Sequence, residues 1–133
     1  SVVLILVAIL VLVNIQSSPL KTKPNGQLER TQKIARMVID EANGQPFNFA
    51  LIAKHNYDAA YQFYLDVYGF KPKEVPKDIT EQLIVVCEDQ ECLPVNHPKY
   101  EIAAFGWSKI VSEKEVDGIR IFKLVHNRPE AAR

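Results

Sequence analysis

Phe47-Asn48-Phe49-Ala50-Leu51-Ile52-Ala53 is a short apolar run closed by the polar trio Lys54-His55-Asn56. That pattern reads as a buried strand ending at a loop. From Tyr57 the period changes: Tyr57, Tyr61, Tyr64, Leu65 and Tyr68 recur at helical spacing, while Asp58, Gln62 and Asp66 fall on other faces. Gly69 stops this helix. After a loop punctuated by Pro72 and Pro76, Leu83-Ile84-Val85-Val86-Cys87 reads as a second buried strand. A strand, a crossover helix and a second strand predict a parallel pair.

The flanking segments extend this unit into an α/β domain. Leu28 to Asn43 carries Leu28, Ala35, Val38, Ile39 and Ala42 on one helical face, with charged residues mostly outward, and ends at Asn43-Gly44. Pro98 to Phe105 predicts a short helix stopped by Gly106. Trp107 to Val116 and Ile119 to Val125 alternate as strands, and Asp117-Gly118 between them is a strong two-residue hairpin signal. The expected fold is therefore a small mixed sheet, with a parallel strand-helix-strand unit and a C-terminal antiparallel hairpin, covered by helices.

The sequence opens on Val2 to Val13, apolar on every face, with Ile15 shortly after. This is shorter than the roughly 20 residues of a full bilayer crossing. It reads as the end of a transmembrane helix (1–15) whose start is missing, in preference to the apolar region of a signal peptide, because Asn14 to Pro19 holds no small-x-small cleavage site. A buried core helix fits poorly with an all-apolar surface. A polar linker (16–26), a soluble α/β domain (27–126) and a polar, frayed tail (127–133) follow. Lys21, Lys23, Arg30, Lys33 and Arg36 after the span would, by the positive-inside tendency, put this side in the cytoplasm, but the rule compares two flanks and the opposite one is missing.

Sixteen basic and sixteen acidic residues cancel, with no basic block, so a nucleic-acid partner has little electrostatic support. No cofactor motif is present and no cofactor is expected. If the two strands are parallel, the loops at their C-terminal ends share one sheet edge, the usual place for ligands in open α/β sheets. That edge would gather His55, Asn56 and Asp58 from one loop, with Lys54, and Glu88 and Asp89 from the other, with Glu91. These are the candidate ligand-binding residues, for a sugar, a peptide or a lipid head group. The bland account makes Asn56 or Asp58 a helix cap and the rest solvated loop, and no acid, base and nucleophile set completes a catalytic site.

Cys87 and Cys92 allow three accounts. They form a disulfide clipping the loop to the strand, stay as two thiols, or join His97 in a metal site. The last lacks both the close Cys-x2-Cys spacing and a fourth ligand, so no metal is expected. The tyrosine series and Trp107 read as packing, with the alternative that Trp107 stacks on a sugar ring.

The order of these parts resembles the C-terminal extracytoplasmic domain of bacterial multi-spanning membrane glycosyltransferases of the protein mannosyltransferase and aminoarabinose transferase kind. The resemblance rests on Arg30-Thr31-Gln32-Lys33-Ile34-Ala35 after a last membrane helix, and on Pro46 to Ala53 leading into Asn56-Tyr57-Asp58-Ala59-Ala60-Tyr61. It continues through Cys87 to Cys92 and Glu101-Ile102-Ala103-Ala104-Phe105-Gly106-Trp107. It implies an accessory domain of a polyprenyl-phosphate-sugar-dependent transferase at the cell membrane. The implied partners are the membrane, an upstream transmembrane domain of the same protein, and a lipid-linked sugar or its acceptor. In that family the catalytic acid belongs to the membrane part, so no catalytic residue is implied here. A stand-alone anchored binding module is the alternative.

Overall fold

A computed structural model of the chain describes residues 1–55 and 57–127. In order these form α1 (Val2–Gln16), a 3-10 turn (Pro19–Lys21), α2 (Gln27–Ala42), β1 (Asn48–Ile52), α3 (Ala59–Val67), β2 (Gln82–Cys87), α4 (Tyr100–Phe105), β3 (Ser108–Val116) and β4 (Ile119–His126). The four strands make one mixed sheet in the order β1-β2-β4-β3. β1 and β2 run parallel, from Asn48 opposite Leu83 to Ile52 opposite Cys87, and the other pairings are antiparallel. The α/β architecture expected from the sequence is the one observed.

β2 lies between β1 and β4 and every one of its residues is buried. Alternation along the strands divides its side chains between two cores. Ile84 and Val86, with Phe49, Leu51 and Ile121, pack under α2 and α3 against Ile34, Val38, Tyr61 and Leu65. Leu83, Val85 and Cys87, with Ala50, Ile52, Phe122 and Leu124, pack against Ile102, Phe105 and Cys92 on the opposite face. The result is a three-layer sandwich with the sheet in the middle. Strand ends are locked by specific chemistry. The Gln82 side chain donates to the carbonyls of Ala42, Gln45 and Pro46 and so closes the end of α2. α3 ends where Gly69 takes φ +81° and the Phe70 N–H returns to the Leu65 carbonyl, a left-handed C-cap that a side chain would strain. Asp117 and Gly118 both take positive φ, as the tight turn between β3 and β4 requires.

α2 also holds the hairpin. Glu41 is buried and pairs with Lys114 of β3 at 2.8 Å, while Lys123 of β4 donates to the Glu41 carbonyl. Burial alone would raise the Glu41 carboxyl. Hydrogen bonds from Lys114 and Ser112, with the charges of Lys114 and Lys123, outweigh it and hold the group below its usual value of 4.5. A depressed carboxylate stabilises the fold above the unfolded value and loses that contribution as pH falls through the folded one. Glu41→Gln is therefore expected to lower stability at pH 7, with the difference from wild type shrinking below about pH 4. Urea unfolding at the two pH values would show it, and an equal loss at both would contradict it.

Four expectations need correction. Leu28 is not on the buried face of α2. It is 65% exposed, in the first turn of the helix, and the buried face begins only at Thr31. Tyr57 is 82% exposed and precedes α3, which starts only at Ala59, so it does not belong to the packed tyrosine stripe. Trp107 is 79% exposed rather than packed, since it stands just outside β3 after the Gly106 turn. Asn127, placed in the frayed tail, extends the hairpin by donating its N–H to the Trp107 carbonyl. Residues 128–133 of that tail lie outside the described residues.

α1 buries none of its side chains. As 15 helical residues it is roughly 22 Å long, less than the roughly 30 Å of a hydrocarbon core. With the turn that follows, Val2–Lys21 counts 20 residues and is long and apolar enough, by length and composition, to cross a membrane.

Candidate functional site

The short connection from α2 into β1 makes the helix run back along the sheet, antiparallel to β1 and β2. Its first turns therefore reach the same end of the molecule as the C-termini of the parallel strands. There a cavity of about 310 Å³ opens between α2, α3 and the two strand-end loops. Gln27, Arg30 and Thr31 line it from α2, Lys54, His55 and Tyr57 from the loop after β1, Ala60 and Tyr61 from α3, and Glu88 and Asp89 from the loop after β2.

Of the candidates read from the sequence, His55, Glu88 and Asp89 meet in this cavity. Asp58 does not line it. Asp58 stands at the N-cap position of α3 and accepts a 3.4 Å hydrogen bond from the Gln62 side chain, a local helix contact. Asn56 lies outside the described residues. Arg30, Gln27 and Thr31 were not anticipated, because they precede the strand loops by more than twenty residues. The signal was nonetheless present in the sequence: a helix tied to a strand by a five-residue turn and packed on its sheet returns its start to the far end of that strand.

Each wall is fixed by identifiable bonds. The Glu88 N–H donates to the Ile52 carbonyl at 2.9 Å, prolonging the parallel pairing one residue past β2. The Tyr61 hydroxyl donates to Glu88 Oε1, which orients the carboxylate. Burial first, then the hydrogen bond to Glu88 and its charge, push the Tyr61 hydroxyl up, against the opposing charge of Arg30. It stays protonated and serves as a donor rather than a base. The imidazole of His55 lies nearly parallel to the Tyr57 ring, 6.4 Å between centroids. Cys87 and Cys92 form a disulfide with Cα atoms 6.1 Å apart. It closes the 88–91 loop at its root, and Arg120 donates to the Gln90 carbonyl to hold the loop's middle.

The α2 N-terminus adds direction to the field here. Asn25 Oδ1 accepts from the Gln27 N–H, and Gly26 takes φ +65° to start the helix. The positive end of a 16-residue helix therefore stands at the rim of the cavity beside Arg30. The lining offers two cations, a helix N-terminus, two carboxylates and an exposed aromatic ring. That is equipment for recognising a polar group, by charge and stacking. Among the described residues no three His, Cys, Asp or Glu side chains gather as a metal-binding group.

No protein-family model, curated protein or solved structure matches this chain.

Proposed function

We propose that the chain is a membrane-tethered accessory domain of a polyprenyl-phosphate-sugar-dependent glycosyltransferase, not catalytic by itself, whose cavity receives the polar head of a molecule lying in the same bilayer. One observation supports this above the others. The cavity is built on the first turns of α2, and only residues 17–26 separate α2 from the apolar helix α1. Ten residues reach at most about 35 Å when fully extended. The cavity is therefore tethered close to the membrane surface, at the depth where a lipid-linked sugar or its acceptor presents its polar group. The Cys87–Cys92 bridge supports an extracytoplasmic placement, because disulfides persist in oxidising compartments. The upstream transmembrane domain that the resemblance implies would supply the catalytic acid.

Membranes carrying the full protein are expected to transfer a sugar from a polyprenyl-phosphate donor. Arg30→Ala should then raise KM for the donor or the acceptor about tenfold while leaving kcat near wild type, as loss of a binding contact does. Absence of transfer from every polyprenyl-phosphate sugar tried would contradict the transferase reading. A stand-alone anchored module is the second reading, favoured by a cavity lined by Arg30, Lys54, His55, Glu88 and Asp89, polar side chains suited to a small ligand without any catalytic set. Head-group binding that persists in a protein without transfer activity would select it.

A further inference from the structure

The cavity beside α2 holds charges of both signs that do not neutralise one another. The half-buried Arg30 guanidinium and the Lys54 ammonium make no hydrogen bond or ion pair among the described residues, and neither does the Asp89 carboxylate. Glu88 uses one oxygen for Tyr61. Side chains that carry opposite charges around one cavity without pairing with one another suit a ligand bearing both charges. Arg30 presents a planar fork matched to phosphate, and the positive end of α2 adds to its field. Glu88 and Asp89 in the same lining suit an ammonium, and the exposed Tyr57 ring offers it a π face. A volume of about 310 Å³ admits a small head group.

From this arrangement we infer that the cavity takes a zwitterionic phospho-amine, with phosphate on Arg30 and Lys54 and ammonium on Glu88 and Asp89. The inference rests on the reading of this cavity as a head-group site and names the chemistry of what it holds. A phospholipid head group and a free phospho-amine share that chemistry.

The test uses the full chain in micelles of an uncharged polyoxyethylene detergent, followed by amide NMR. Four probes are titrated: glycerophosphoethanolamine, glycerol 3-phosphate, ethanolamine and mannose 1-phosphate. Glycerophosphoethanolamine is expected to shift the amides of Arg30, Lys54, Glu88 and Asp89 and to bind about tenfold or more tighter than either half-ligand. Arg30→Ala should weaken the two glycerol phosphates about tenfold and leave ethanolamine unchanged. Asp89→Asn and Glu88→Gln, the latter keeping an acceptor for Tyr61, should weaken glycerophosphoethanolamine and ethanolamine but not glycerol 3-phosphate. A half-ligand binding as tightly as the zwitterion overturns the inference. Binding of mannose 1-phosphate alone also overturns it, while leaving the head-group site in place; no shift with any probe removes the site as well. Nanodiscs then identify the source. Phosphatidylethanolamine discs that reproduce the shifts and block the free probe support a lipid, and discs that leave the site open to the probe support a free phospho-amine.

Discussion

Asn48→Ala is expected to cost about 3–5 kcal/mol, the largest loss from any single polar side chain in the domain. Asn48 is the first residue of β1 and is 1% exposed. Its amide nitrogen donates to the carbonyls of Lys73 and Asp78, each at 2.8 Å. Its oxygen accepts from the Thr80 N–H at 2.8 Å and from the Thr80 hydroxyl at 2.9 Å. One side chain thus saturates its hydrogen-bonding capacity by pinning both ends of the 73–80 loop against the edge strand. Truncation leaves the part-buried carbonyls of Lys73 and Asp78 and the Thr80 N–H and hydroxyl without this partner, and each orphaned group costs up to about 1–3 kcal/mol before relaxation. Urea unfolding with an unchanged m-value would measure the loss. A loss under about 1 kcal/mol would show that water replaces the amide and that the loop does not depend on it.

Ile84→Ala should cost about 2–5 kcal/mol by a different mechanism, a cavity in the middle of the sheet. Ile84 is fully buried on β2, paired with Phe49 on one side and Lys123 on the other. Its side chain points into the core beneath α2 and α3, where rigid neighbours on a hydrogen-bonded sheet cannot close the gap. Ile110→Ala is the control. Ile110 lies on the edge strand β3 and is 42% exposed, so its loss should stay below about 1 kcal/mol.

The legible parts of the fold were those where local pattern and tertiary structure agree. Leu83 to Cys87 is apolar without interruption because β2 is covered on both faces, and a buried parallel strand has that signature. Asp117-Gly118 forecast its turn because both residues must adopt positive φ. Tyr57 and Trp107 were misplaced for one shared reason. Aromatic character argues for burial, but each stands one or two residues outside an element, where no facing layer covers it. The polar amide of Asn48 gave no hint of its role, since its partners lie 25 to 32 residues away in a loop without periodicity.

The candidate site was legible in halves. Parallel pairing of two strands necessarily brings their following loops together, so His55, Glu88 and Asp89 meet as expected. Asp58 departs because it stands at the N-cap position of α3, where its side chain accepts from Gln62 instead of lining the cavity. Arg30 enters because α2 runs antiparallel to the strands, a consequence of the short connection from Asn43 to Phe47 rather than of any motif. The same geometry gives the domain two distinct ends. The start of α2, the cavity and the ends of β1 and β2 form one end of the molecule; Gln45, Gln82 and Trp107 mark the other.

Paramagnetic relaxation tests most directly the proposal that the cavity end faces the bilayer. The full chain is placed in nanodiscs containing a lipid with a gadolinium-chelating head group, and amide signals are compared with diamagnetic discs. Tethering of the cavity at the membrane surface predicts strong broadening of Gln27, Lys54, His55 and Glu88, with Gln45, Gln82 and Trp107 retaining most of their intensity. Equal broadening at both ends, or stronger broadening around Trp107, would contradict a cavity that faces the bilayer.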